Sequence, residues 1–599
     1  MLRILRARLG RDESGMALIA VIGIGAVITI LVVSGIAMAM GGVHRARDDQ
    51  DWNGSLAAAY AGVEDYESRL AADPLYYKYG NPLAPFTKAT ASAVIAPPAA
   101  ETNPAFTLGS DATWAQVGGS GTGASFRYEV DNSTYGSTGT IRLRSTGRVG
   151  AETRTIVADL RQQGFIDFLY FTDYEIADPD ITGKPKSCAQ YAWAGRPSSP
   201  TCESIQFGAR DTLGGPVHSN DALQICGATF GGKVTSSNNP KGTPASRYVK
   251  PTGCAKPVFE AAAGPGDLYG PAFSPVIGMP ATNSQLKKET RTDYSPTPGC
   301  LYTGPTSITF TADGRMTVRS PWTQATWVTG DPVTSGSAPA ACGLPGTGSG
   351  ELGSPQGATV AVPDNNVIYV QDVPNVPGNP NTPTSEMTAT IGCRSADDLQ
   401  AGNGLGFPMA GEVVTMTDAY SCKRGDVFVR GTVHGSVTVA GENYVYVTGN
   451  LTYADSTRDV LGLVGNNAVW VWNPMACTSP AGSLSAGTCS KVTPLLTGKD
   501  RKIDAAIISV AHTFQVQNYS IGGPRGTLSV RGAIAQRFRG TVATTQNNAI
   551  VNGYAKAYTY DDRLKYTAPP KFLSPVNTTY GVTVWIETSP AFDSTGTQR

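Results

Sequence analysis

The chain has 599 residues, more than a single domain at about 100–200 residues each. Its 47 Lys+Arg balance 47 Asp+Glu, and charged residues are 16% of the chain, against about 25% in an average soluble domain. That balance speaks against a nucleic-acid partner, which needs a basic face to neutralise phosphates. Four His leave little material for His-based metal or triad chemistry. A hydrophobic share of 41% excludes wholesale disorder, and Gly 69 with Pro 41 means many turns. The composition is that of an extracellular, β-rich protein.

Residues 1–15 carry Arg3, Arg6, Arg8 and Arg11, and Met16 to Met40 then holds no charged residue. As a helix that run would be about 37 Å long, enough for a bilayer core of roughly 30 Å. The basic flank precedes it, so the N-terminus is predicted cytoplasmic and the remainder outside. Ala37-Met38-Ala39 also fits a secretory cleavage site. Signal h-regions run only about 7–15 residues, however, which favours a retained anchor. From Leu56 the apolar residues Leu56, Ala59, Tyr60, Val63, Tyr66 and Leu70 recur at three- and four-residue steps. That spacing predicts an amphipathic helix ended by Pro74, with Asn53-Gly54 as a weak point.

Gly15-Met16-Ala17-Leu18-Ile19 behind a short basic leader resembles the class III signal of type IV prepilins. The stretch from Ser55 to Asp65, SLAAAYAGVED, is similar to the helix of PilX-type minor pilins. The resemblance implies that a prepilin peptidase cuts between Gly15 and Met16 and methylates the new N-terminus. It departs at the fifth residue after the cut, where the family's major subunits have Glu and this chain has Ala20. In the family that Glu pairs with a neighbouring subunit's terminal amine, so its absence points to a minor subunit of the kind found at filament tips.

Beyond the helix, Phe126–Val130, Ile141–Arg144 and Thr153–Leu160 read as strands separated by Gly-rich turns. By analogy with pilins, this sheet would cover the apolar stripe from Leu56 to Leu70. FIDFLYFTDYEIADPD and GGPVHSNDALQICGATFGGKVTSS, within 164–235, are similar to stretches of large PilX-type proteins. Prolines crowd 321–408, and none occurs from Gly411 to Trp470, where Val427/Val429, Val437/Val439, Val445/Val447 and Val469/Val471 alternate with their neighbours. Short Gly-bounded strands suit a β-helix, with Val427 to Leu451 about right for one coil; a β-sandwich is the alternative. The expected fold is mainly β with a long N-terminal α-helix: a pilin-like α+β module, then a β-helix-like ectodomain with a loop-rich insertion. The expected divisions are a leader at 1–15, a transmembrane and amphipathic helix at 16–73 and a pilin-like β module at 74–163. The first part of the ectodomain follows at 164–235, a Pro/Gly-rich insertion at 236–410 and the β-helix-like domain at 411–599.

The ten cysteines, Cys188, Cys202, Cys226, Cys254, Cys300, Cys342, Cys393, Cys422, Cys477 and Cys489, all lie beyond the apolar run. An even count on the predicted exterior reads as disulfides. Pairing in sequence order is the plain expectation, with Cys477–Cys489 the strongest candidate. No C-x-x-C or Cys/His cluster favours zinc.

Asp178, Asp180 and Thr182, in DPDITG, match the start of an EF-hand loop and make a candidate Ca²⁺ site, with Asp173 and Glu175 nearby; the bidentate Glu expected at its end is Ala189. A solvated turn is the simpler reading. No nucleophile elbow, H-E-x-x-H or P-loop is present, and Ser284-Gln285-Leu286-Lys287 matches S-x-x-K without its companion motif. His218-Ser219-Asn220-Asp221 reads as a polar ladder rather than a triad, because neighbours on a strand point to opposite faces. Exposed Trp470 and Trp472 would suit stacking on sugars, although core packing accounts for many such aromatics.

These observations make the chain a non-enzymatic minor pilin-like subunit that acts in assembly or as a tip adhesin. The alternative is a membrane-anchored β-helical glycan-active enzyme. The implied partners are other pilins, the prepilin peptidase, the assembly platform, the membrane through helix 16–40, and a surface glycan or host ligand, with no nucleic acid. The expected location is single-pass, with an extracellular ectodomain that reaches the pilus tip, and the only cofactor considered is Ca²⁺.

Overall fold

The structure is a computed structural model. It describes residues 13–599 except 74–75, 91, 99–101, 109–113, 120–122, 136–139, 163, 265–267, 392–401, 413–419, 480–488, 490, 547–548 and 576–579. One α-helix runs unbroken from Glu13 to Ala72 and passes straight through Asn53-Gly54. Pro74, predicted to end it, lies outside the described residues. The chain divides into two compact units, residues 1–162 with 580–599, and residues 163–579.

In the first unit the second half of the helix lies on an antiparallel sheet. Ser125–Asp131, Thr140–Val149 and Glu152–Gln162 pair in sequence order. The three predicted strands form as expected because their alternation places Tyr128, Val130, Ile141, Leu143, Ile156, Ala158 and Leu160 against Ala59, Val63, Tyr66 and Leu70 of the helix. Small residues allow that approach: Ser145 Oγ donates to the Ala59 carbonyl at 2.8 Å. A Cβ on Gly147 would lie 2.1 Å from the Ser55 carbonyl oxygen. Sequence reading missed the last member of the sheet. Tyr580–Thr588 pairs antiparallel with Glu152–Gln162, with Gln162 opposite Tyr580. The second unit is therefore inserted between two adjacent strands of the first.

The second unit winds parallel strands into coils, a β-helix-like solenoid. Along one face runs a continuous ladder in the order Cys300–Thr303, Asn366–Gln371, Ser436–Gly441, Val460–Gly465, Arg501–Ser509, Pro524–Phe538, Tyr170–Tyr174, Val217–Ser219, Val234–Ser236 and Ala272–Phe273. A second face stacks Thr306–Thr311, Val427–Val433, Tyr444–Tyr453, Ala468–Val471 and Phe514–Val516. A third links the later half of the coils through Pro524–Phe538, Ala549–Tyr560, Thr212–Gly214, Thr229–Phe230 and Val258–Phe259. The predicted alternating valines, Val427/Val429, Val437/Val439, Val445/Val447 and Val469/Val471, all point into one buried core. A 24-residue coil occurs where Val437 pairs with Leu461 and Val445 with Val469, but Val427 pairs with Val445 rather than beginning a coil closed at Leu451.

The order of the ladder is not the order of the chain. Ten strands at about 4.8 Å spacing span roughly 43 Å, so sequential winding would separate the two ends of the insertion by that distance. Its ends must instead lie together, because Gln162 and Tyr580 are partners. The chain meets this constraint by entering mid-ladder at Tyr170–Tyr174, winding outward to Ala272–Phe273, crossing back to the far end at Cys300–Thr303, and winding inward until Pro524–Phe538 docks on Tyr170–Tyr174. Entry and exit then touch, with Tyr560 Oη donating to the Ile166 carbonyl at 2.8 Å.

The crossing segment straps the rungs it passes. The Ile277 N–H donates to Asn220 Oδ1, the Asn283 side-chain amide to the Gly441 carbonyl, and Tyr369 Oη to Asn283 Oδ1. This corrects two expected divisions. Residues 236–410 are not all insertion, since Cys300–Thr303, Thr306–Thr311 and Asn366–Gln371 are full members of the coils. The domain placed at 411–599 shares its solenoid with 164–235 and yields 580–599 to the other unit. Proline-rich loops between parallel rungs concealed the strands, because partners such as Asn366 and Val437 are far apart in sequence.

Candidate functional site

The N-terminal half of the helix is apolar on every side. Leu18, Ile19, Val21, Ile22, Ile24 and the large apolar residues onward to Val43 are 52–80% exposed. The helix is long and apolar enough to cross a membrane. A helix that is hydrophobic all round requires apolar surroundings, whether lipid or other helices. Of the two hydroxyls in this stretch, Thr29 and Ser34, Thr29 Oγ1 donates back to the Gly25 carbonyl at 2.7 Å and so needs no outside partner. Ala20 lies in this stretch and offers no carboxylate. Gly15 and Met16 belong to the helix backbone, while the Met16 side chain and residues 1–12 lie outside the described residues.

The predicted disulfides Cys188–Cys202, Cys226–Cys254, Cys300–Cys342 and Cys477–Cys489 are formed. Cys422 is also disulfide-bonded, and Cys393 lies outside the described residues. The loops they close span 12 to 42 residues, and each crosslink removes conformations from the unfolded chain, more so for the longer loops.

No EF-hand-type loop forms at the candidate Ca²⁺ site. Asp178 caps the short helix Pro179–Thr182, its Oδ1 accepting the Asp180 N–H at 2.9 Å, and Gly183 ends that helix in the left-handed region. Thr182 Oγ1 donates to the Asp178 carbonyl. The third residue beside Asp178 and Asp180 is instead His512, whose Nδ1 lies 2.6 Å from Asp178 Oδ2. Asp173 and Glu175 are engaged elsewhere. Asp173 accepts from Tyr191 Oη and the Asn220 amide, and Glu175 pairs with Arg539 at 2.9 Å.

His218, Ser219, Asn220 and Asp221 are all fully buried. His218 bonds Thr235 Oγ1 and Asn220 Oδ1 through its two ring nitrogens, while Asp221 pairs with Arg196. This is a satisfied polar ladder, as read from the strand geometry. Ser284 bonds Thr282, and Lys287 faces Glu442 at 4.0 Å. Trp470 and Trp472, considered above as exposed sugar platforms, are buried in an aromatic cluster with Tyr420, Phe428, Tyr444 and Tyr446. The alternation that set one face of that strand inward was matched by a loop carrying Phe407, which stacks on Phe428 at 4.0 Å and covers the other.

Three cavities in the second unit, of about 430, 150 and 340 Å³, are each lined by one carboxylate: Glu386, Asp211 and Glu203 respectively. Among the described residues none of these three cavities is lined by the pair of carboxylates that most glycoside hydrolases use.

Two buried ionisable groups oppose one another in pH dependence. Burial lowers His218 from 6.5 to about 4. It also raises Asp426 from 3.8 to about 7, where the Oδ1 accepts from Asn443 and the Tyr444 N–H while Oδ2 has no partner. Between about pH 4 and 6.5 the unfolded chain binds the extra proton at His218, so that group favours folding as pH rises. The folded chain binds the extra proton at Asp426, so that group disfavours folding over the same span. Asp426→Asn is expected to be more stable than the wild type by about 2 kcal/mol at pH 8, with the difference shrinking toward pH 4. His218→Gln is expected to lose stability as pH rises through the same window. Urea titrations of the full chain at several pH values test both; an Asp426→Asn advantage that stays constant with pH contradicts the assignment.

No protein-family model matches the chain, and no curated protein matches it. Among solved structures, the crystal structure of the competence-associated pilin ComZ from Thermus thermophilus is similar at 12% identity and a TM-score of 0.25, over 90% of this chain and 97% of that one. At this level of likeness the functional reading rests on the chain's own residues.

Proposed function

We propose that this chain is a minor pilin-like subunit, of PilX type, in a type IV pilus or related filament, acting in assembly or as a tip adhesin without catalysis. The observation that carries the reading is the single helix Glu13–Ala72, bare and apolar over its first half and seated on its own sheet from Ser55 to Leu70. Such a helix has two uses in succession. It anchors the precursor in the bilayer, and after cleavage it packs against the helices of neighbouring subunits. Ala20 in place of the assembly glutamate supports a minor role. The large inserted solenoid, bulky for every position of a helical filament, supports a place at the tip. Other pilins, the peptidase and the assembly platform are the partners of this reading, and its surface ligand is a glycan or host molecule.

N-terminal sequencing of the membrane-extracted mature chain tests it. The expected result is N-methylated Met16. A chain beginning at Met40 would make the protein a secreted one, and an intact Met1 would make it a plain membrane-anchored protein.

A further inference from the structure

The fold joins three metal-ligating side chains from two parts of the chain that are 334 residues apart. Asp178 and Asp180 lie on the turn that follows Tyr170–Tyr174, and His512 lies just beyond Arg501–Ser509. One ligand atom from each falls within 4.8 Å of the other two. We propose that Asp178, Asp180 and His512 bind a divalent first-row transition ion of the zinc class, which clips the 178–183 turn to the coil bearing His512.

The donor set selects the ion. Ca²⁺ and Mg²⁺ take oxygen ligands, whereas an imidazole nitrogen with two carboxylates suits Zn²⁺ and its neighbours. Replacing Thr182 by His512 as the third donor thus changes the metal expected from the local sequence. Two of the three donors are held in advance. The Asp178 side chain is 1% exposed and fixed by capping its helix. The backbone of His512 is held at both groups, its N–H donating to the Asn467 carbonyl and its carbonyl accepting from Arg537 and Phe538. Asp180 is the movable donor, with a half-exposed side chain whose nearest charge is Lys186 at 3.9 Å.

Tetrahedral zinc with ligands at about 2.1 Å separates them by roughly 3.4 Å. Turning the Asp180 carboxylate inward and parting the 2.6 Å Asp178–His512 contact slightly reaches that spacing. Solvent supplies the remaining ligand on the open Asp180 side. Metal binding replaces the hydrogen bond between Asp178 and His512 with a bond from each to the ion. Since Tyr170–Tyr174 and Arg501–Ser509 both flank Pro524–Phe538, the ion would brace the rungs on either side of the place where the two windings meet.

The site goes beyond the filament reading and does not depend on it. Isothermal titration of the full chain in detergent with ZnCl₂, and separately with CaCl₂, tests it. The chain has only four His, one of them the buried His218, and no free cysteine among the described residues, so background binding is small. One saturable zinc site per chain is expected, with no comparable calcium heat. Binding should weaken about tenfold or more in Asp180→Asn and in His512→Ala. Asp180→Asn serves as the decisive variant because its exposed side chain holds no fold contact beyond Lys186, so its loss of binding cannot be put down to unfolding. Absence of a saturable zinc site, or zinc binding unchanged in both variants, overturns the proposal.

Discussion

Arg539→Met is expected to destabilise the meeting of the two windings by about 3–5 kcal/mol, because it strands a buried carboxylate. Arg539 and Glu175 are fully enclosed and 2.9 Å apart, one directly after Pro524–Phe538 and the other directly after Tyr170–Tyr174. The Arg539 N–H also bonds the Tyr174 and Ile176 carbonyls, and its guanidinium lies 3.3 Å from the Phe207 ring centre. Removing the cation leaves the Glu175 carboxylate buried without its counter-charge, whereas removing both charges leaves a neutral pair with no charge to desolvate. Arg539→Met with Glu175→Gln is therefore expected to recover most of the loss. Native-state hydrogen exchange of the Tyr170–Tyr174 amides is the direct measurement. The single variant should exchange about 10²-fold faster or more, since roughly 1.4 kcal/mol is a factor of ten. Unchanged exchange there would mean that the ladder hydrogen bonds alone hold the two windings together.

Gly147→Val is expected to lift the helix from its sheet and cost the first unit more than about 3 kcal/mol. A Cβ at this position lies 2.1 Å from the Ser55 carbonyl oxygen and 2.2 Å from the Ala59 nitrogen. Both are backbone atoms of a hydrogen-bonded helix and cannot rotate aside as a side chain would. The whole helix must move outward, opening the packing of Val63, Tyr66 and Leu70 against Tyr128, Ile141 and Leu160. Gly118→Ala, in the same unit with nothing within 4 Å of the added carbon, is the matched control and should change nothing. Limited proteolysis across 55–72 together with the thermal midpoint reads the outcome. Equal resistance in wild type and Gly147→Val would show that the sheet yields to the helix.

Local patterns were legible wherever their cause was local. The apolar run from Met16 and the three- and four-residue steps from Leu56 to Leu70 each specify a helix face, and the structure makes them one helix because nothing between them breaks the backbone ladder. The alternation in Phe126–Val130, Ile141–Arg144 and Thr153–Leu160 specifies which side of a strand is buried, and so do the valine pairs beyond Val427. Cysteines near in sequence paired locally, at Cys188–Cys202 and Cys477–Cys489 among others. The site at Asp178 was half legible. Two carboxylates stood in the local pattern, but the histidine beside them arrives from a separate coil and left no mark near residue 178.

Sequence by itself determined the apolar run from Met16, the buried face of the helix from Leu56 to Leu70, the inward faces of the alternating strands and the pairing of neighbouring cysteines such as Cys188–Cys202, since each depends on residues near one another in the chain. Tertiary structure decided that Tyr580–Thr588 completes the first sheet, that residues 300–371 belong to the coils, and that the solenoid winds out and then back to its own middle. Parallel rungs place no constraint on the number of residues between partners, so their register cannot be read from spacing. The requirement that settled it, that an insertion between paired strands must return to its starting point, exists only once Gln162 and Tyr580 are paired.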